Sequence, residues 1–285
     1  ADQNAGLVIV DVREPDAPRA MSRLADARDA YALALEGAYA YIGATTWRNT
    51  QTLEVLIVDV SDPSAPRITG RVAAAGKVTD VAWSGGFVYA ATSTGLVVVR
   101  VADLANPEIV GTLGVAGRLV AASGTTVCLV EGDGTLHVID VADPARPVEV
   151  GSLFRAHEDE AWENAADEMR MAGSTAYVMH RTWLQAIDVH DPHSPRELGW
   201  IGAADLSAEN GFADMALDSA IVARSGAGTA APGDVLYLAS WDGIFIVEAT
   251  IAERPPEPAP SVGCRLWLPA ASAGSVGPVE AERYL

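Results

Sequence analysis

An all-β chain folded as a β-propeller of four-stranded antiparallel blades is what this sequence predicts, on three observations. A short apolar run ending in a charged residue and followed by an acidic, proline-rich turn recurs along the chain. Between its copies lie Gly-x-apolar-apolar-Tyr segments bounded by tight-turn signals. The connecting segments lack the sustained 3.6-residue periodicity that crossover helices would need, so strands covered on both faces must be covered by other sheets.

The copies read "LVIVDVREPDAP" (7 to 18), "VLIVDVSDPSAP" (55 to 66), "LVVVRVADLANP" (96 to 107), "LHVIDVADPARP" (136 to 147) and "LQAIDVHDPHSP" (184 to 195). A sixth, "IFIVEATIAERP" (244 to 255), keeps the strand and loses most of the turn. In the five good copies the run ends on Asp11, Asp59, Arg100, Asp140 or Asp188. An acid follows three residues later (Glu14, Asp62, Asp103, Asp143, Asp191), and a proline seven later (Pro18, Pro66, Pro107, Pro147, Pro195). The β-branched run is a strand, the acid can cap turn N–H groups and proline presets φ, so each unit reads strand, turn, strand. The segments "GAYAY" (37 to 41), "GGFVY" (85 to 89), "GTTVC" (124 to 128), "GSTAY" (173 to 177) and "GDVLY" (233 to 237) supply further strands, joined to the next run by turns such as "STG" and "GDG". Copies recur at the 40-to-60-residue period of a propeller blade. Six third strands predict six blades, the first lacking its two inner strands. The propeller is expected over 1–252. Residues 253–285 are expected to form a Pro-rich spacer, "RPPEPAPSVG", and a tail in which "CRLWLP" either docks on a blade edge or opens a further domain.

Acids outnumber bases 38 to 19, a formal net charge of −19 that repels phosphate backbones, so a nucleic-acid partner is not expected. Lys77 is the one lysine. Cys128 and Cys264 are too few and too far apart for a disulfide framework, and no apolar run is long enough to span a bilayer. The chain opens on "ADQNAG", with neither Met nor a signal-type apolar region, as expected of a processed or excised chain.

Two links between blades carry the same insertion, "ENAADEM" (163 to 169) and "ENGFADM" (209 to 215). Glu163, Asn164, Glu168, Glu209, Asn210 and Asp214, with Asp80 at the matching place in "KVTDVAW", are candidates to line a channel rim. There they would offer hard oxygen ligands to Ca²⁺, the candidate cation, or hydrogen bonds to a polar ligand. The competing reading has each Glu-Asn capping a short helical turn. Ala32 and Leu119 hold the matching positions elsewhere, so an acidic ring would be incomplete. Trp162, within the acidic "HEDEAWEN", and Trp241 at a hairpin tip are candidate contact surfaces for a sugar or a protein. His190 and His193 stand near Asp188 and Asp191 at a spacing that could hold a metal. Nucleophile elbows and phosphate-binding glycine loops are not visible.

"LVIVDV" followed by "DPSAP" resembles the LVIVD-repeat proteins, over roughly residues 6 to 250. That resemblance implies a bacterial or archaeal surface β-propeller, an extracellular or cell-surface location with a separate anchor, and no established catalytic activity. Arg100 and Leu104 depart from the motif. The expected function is a non-catalytic binding or interaction scaffold with a protein or glycan partner. The alternative is a metal-dependent propeller hydrolase of the lactonase or esterase kind, in which a channel-bound cation polarises a carbonyl.

Overall fold

The computed structural model describes residues 6–14, 16–27, 30–45, 52–154, 166–206, 211–218, 234–240, 243–251 and 262–267. Its strands form five four-stranded antiparallel sheets and one two-stranded sheet, the blades of a β-propeller with an incomplete first blade. The chain divides into two compact units, residues 1–132 with 136–151, and residues 133–135 with 152–285. Among the described residues no helix is long and apolar enough to cross a membrane.

In the first unit, β1 (Leu7–Asp11) pairs with β2 (Arg19–Leu24) as the two-stranded sheet. Next comes the blade of β3 (Ala30–Glu36), β4 (Tyr39–Thr45), β5 (Thr52–Asp59) and β6 (Arg67–Ala75). It is followed by β7 (Val78–Ser84), β8 (Phe87–Thr92), β9 (Gly95–Arg100) and β10 (Glu108–Leu113), and then by β11 (Leu119–Ser123), β12 (Thr126–Val130), β13 (Leu136–Asp140) and β14 (Val148–Leu153). The second unit holds β15 (Ala166–Ala172), β16 (Thr175–His180), β17 (Trp183–Asp188) and β18 (Arg196–Gly202). Its other blade is β19 (Phe212–Asp218), β20 (Asp234–Ser240), β21 (Gly243–Ile251) and β22 (Val262–Trp267). β22 pairs with β21, so the "CRLW" of that stretch lies on a blade edge. The last blade therefore takes Val262–Trp267 as its fourth strand.

The apolar runs are continuous because each third strand is buried on both faces. Leu56 and Val58 of β5 pack with Leu7, Ala40 and Ile42, toward the two-stranded sheet. Val55 and Ile57, alternating with them, pack with Val81, Val88 and Val97 of the following blade. One blade on, Leu96 and Val98 meet Val120, Leu129 and Ile139. In the second unit Leu184 and Ala186 share a core with Phe212, Met215 and Leu238.

The acidic turn is two consecutive Asx turns. Asp59 Oδ1 accepts the Ser61 N–H at 2.9 Å, then Asp62 Oδ1 accepts the Ser64 N–H at 2.9 Å while Ala65 N–H closes on the Asp62 carbonyl. The pattern repeats at Asp140 with Asp143, and at Asp188 with Asp191, where His190 and His193 are the donors. Across the strand pair Asp59 faces Arg67 and Asp188 faces Arg196, with closest N···O distances of 3.0 and 2.7 Å. Arg100 is a charge reversal of this pair, since it bonds Glu108 in the same register.

A notch in the fourth strand receives the turn of the next blade. A Cβ on Gly70 would stand 2.1 Å from the Leu104 carbonyl oxygen and 3.0 Å from Pro107 Cδ. On Gly111 it would stand 2.2 Å from the Pro144 carbonyl oxygen and 3.0 Å from Pro147 Cδ. At the matching place in β2, Ser22 Oγ donates to the Pro63 carbonyl at 2.6 Å. Each notch residue directly follows a β-bulge, whose unpaired residue is Met21, Thr69 or Val110.

Two predictions follow from these contacts. Gly70→Ala or Gly111→Ala forces the turn away from the strand and should cost about 1–3 kcal/mol in urea unfolding, as overpacking does. Ser22→Ala loses one hydrogen bond, worth about 1 kcal/mol. The Ser61 hydroxyl and N–H and then Arg67 hold the Asp59 carboxyl down to about 2, and the side chain and N–H of Arg13 do the same to Asp11. A carboxylate favoured in the fold contributes stability that is present above its ordinary pKa of about 3.9 and is lost as pH falls through about 2. Melting temperature should therefore drop between pH 4 and pH 2, and Asp59→Asn, which keeps the turn but cannot ionise, should flatten that drop.

Candidate functional site

In four of the five four-stranded blades the first strand carries a bulge near its start, β11 being the exception, and the bulge places the candidate acids. Register shifts fall between Val78 and Asp80, Ala166 and Glu168, and Phe212 and Asp214, with Ala30 and Ala32 as the apolar counterpart. The extra residue breaks the ladder and re-aims the side chain that follows. Asp80, Glu168 and Asp214 thus occupy one structural position in three blades, as their spacing in the sequence implied.

Their partners differ. Asp80 is half-buried, and its two oxygens serve two strands: Oδ1 accepts the Val81 N–H at 2.8 Å and Oδ2 the Val120 N–H of β11 at 2.9 Å. The bulged Thr79 works alongside it, its Oγ1 lying 2.8 Å from the Gly117 carbonyl oxygen. Asp80 and Thr79 therefore tie one blade to the next through main-chain groups that a first strand leaves outside its own ladder. In the second unit Glu168 forms an ion pair with Arg170 of its own strand. Asp214 is exposed and accepts the Met215 N–H at 2.8 Å, repeating half of the Asp80 arrangement. Glu163, Asn164, Glu209, Asn210, Trp162 and Trp241 lie outside the described residues.

Near Asp80, Thr79, Ala116, Gly117, Arg118, Glu131 and Gly132 line a recess of about 290 Å³. Glu131 leads from it to a histidine that the sequence reading passed over. His137 Nδ1 is 2.8 Å from Glu149 Oε1, and His137 Nε2 is 3.8 Å from Glu131 Oε1. His137 takes the second position of the LVIVD run, where the neighbouring copies have Leu56 and Val97. Gln185 holds the same position in β17, where its Nε2 is 3.2 Å from His180 Nε2 and the His180 ring stacks on Trp183 with centroids 3.6 Å apart. A polar residue inside an otherwise apolar motif was the available signal. Among the described residues no three His, Cys, Asp or Glu side chains are arranged to hold a metal ion, the His190 and His193 turn included. Cys128 is buried, and burial pushes its thiol up to about 12, far from a reactive thiolate.

The blade boundaries coincide with those of a known repeat. A family model, the LVIVD repeat, matches residues 1–26, 27–74, 75–115 and 116–154. The chain belongs to the LVIVD-repeat family. Each matched stretch covers one sheet to within a residue, the shortest being the two strands β1 and β2. β17, with its "LQAIDVHDPHSP", carries the LVIVD pattern on beyond the matched residues. No curated protein matches the chain.

Replacing Asp80 by Ala leaves the Val120 and Val81 N–H groups without their charged acceptor. Since hydrogen bonds to charged groups are worth about 1.5–3 kcal/mol each, Asp80→Ala should lower the unfolding free energy by at least about 2 kcal/mol. Glu168→Ala, which removes a partly exposed pair, should cost less than about 1 kcal/mol. Urea denaturation of the two variants side by side measures the difference.

Proposed function

We propose that this LVIVD-repeat chain is a non-catalytic binding scaffold that works outside the cytoplasm, at a cell surface or beyond it, and that its partner is a protein or a glycan. The observation that carries the reading is Asp80. Asp80, one of the candidate rim acids, accepts main-chain hydrogen bonds from two adjacent blades with its two oxygens, which is a use a rigid display framework makes of such a residue. Large apolar side chains on or just after outer strands support a contact role: Ile109 and Val148 in the first unit, and Phe154 and Trp200 in the second, are exposed. The acidic composition supports a location where solubility depends on surface charge rather than on binding polyanions.

Protease added to intact cells that make the protein tests the location. Digestion of the chain without lysis is the expected result, and a chain fully protected until lysis overturns the proposal. Calorimetric titration with Ca²⁺ examines the candidate carboxylates separately. Saturable heat that Glu168→Ala with Asp214→Ala abolishes would give those two residues a ligand role on the scaffold.

A further inference from the structure

We infer that the inner edge of β1, together with Leu33 and Leu35 of β3, is a docking site for a β-hairpin of a partner protein, which adds two antiparallel strands to the first blade. In each of the five four-stranded sheets the LVIVD-type strand is third and is paired on both edges, as β5 is between β4 and β6 and β9 between β8 and β10. β1 carries the same run, but among the described residues β2 is its one partner. Its other edge presents main-chain N–H and C=O groups that a further strand can take up. Proline and charged residues, which blunt exposed edges, are absent from Leu7–Val10.

The side chains beside this edge point to the same occupant. Ala32 and Ala34 of β3 pack toward the following blade, so Leu33 and Leu35, which alternate with them, face the first blade. By register they match Val81 and Trp83 of β7: Leu33 pairs with Ile42 and Leu35 with Ala40, where Val81 pairs with Ala90 and Trp83 with Val88. Val81 is 5% exposed, in a core it shares with Ala32 of the preceding blade's first strand. Leu33 and Leu35 are 37% and 63% exposed, and Val10 of β1 is 44% exposed. What covers the matching surface one blade on is a pair of inner strands, and the strand next to the LVIVD run there carries alternate buried apolar residues, Val88 and Ala90. An extended backbone matches the ladder of β1 and its apolar side chains match Leu33 and Leu35, a combination that a glycan does not offer. All of these residues belong to the first unit. The inference rests on the scaffold reading and deepens it by selecting a protein partner over a glycan.

The probe is a fluorescein-labelled peptide with the sequence of residues 78–92, the β7–β8 hairpin, in an anisotropy titration of the full chain. Saturable binding is expected, weakened about tenfold or more by Leu33→Asp with Leu35→Asp, whose fold circular dichroism checks. Ile109→Asp, on β10, should leave the affinity unchanged. Tyr89→Pro made in the peptide, which breaks its strand and leaves the protein untouched, should abolish binding. In hydrogen exchange the edge amides of β1 should be less protected than those of β5 and gain protection when the peptide is added. An absence of saturable binding overturns the inference, as does binding that survives the two leucine changes. So does a β1 edge already protected like β5 in the chain alone, or a concentration-dependent dimer, because the chain itself or a second copy then holds the edge. The protease assay on intact cells reads location separately: a chain protected there that still takes up the peptide loses the location and keeps the docking edge.

Discussion

Within the first unit the approach of successive blades is closest where the acidic turn of one blade lies against the fourth strand of the blade before it. At Gly70 and Gly111 a turn carbonyl and a proline ring come so close that a single carbon would collide with both. Protein interiors are packed too tightly to absorb such a collision cheaply. The two halves of the motif therefore depend on one another: the proline-bounded turn gives the wedge its fixed shape, and the bulge next to the glycine bends the strand to receive it. Ser22 meets the same carbonyl by a hydrogen bond instead of a notch. Steric fit and hydrogen bonding are thus alternative solutions to one geometric demand.

This arrangement explains why the fold was legible from one chain. The turn acids occupy fixed offsets because two Asx turns follow each other, and the strands show no alternation because Leu56 and Val58 face one neighbour while Val55 and Ile57 face the other. Arg100 looked like a defect in the motif. A single run cannot show that its partner lies eight residues on, across a strand pair, where Glu108 restores the ion pair with its sign reversed. β22 was harder to place, because a short strand beyond a proline-rich spacer has no local pattern to mark it, and only pairing with β21 defines it.

The candidate site was legible in position but not in role. Spacing put Asp80, Glu168 and Asp214 at matching places, and each follows a register shift near the start of its strand. Role depends on what faces the carboxylate across the blade boundary. For Asp80 this is the Val120 N–H, a main-chain group whose orientation leaves no trace in residue identities. Asp214 bonds its own following N–H in the same way, so an acid at the bulge has a structural use whether or not a ligand is ever bound.

The second position of the LVIVD run shows where such a framework can acquire chemistry. Apolar residues there supply inter-blade packing, as Leu56 and Val97 do, and a polar replacement must find partners for its polar atoms. His137 finds Glu149 and stands near Glu131, while Gln185 finds His180. The paired Asx turns at Asp140 and at Asp188 are kept beside both changes. Inter-blade contacts lie also in the third-to-fourth strand turn and at the first-strand bulge, so a polar residue on the third strand leaves those contacts in place. A polar side chain placed there starts from a geometry that its neighbours already fix rather than from a flexible loop.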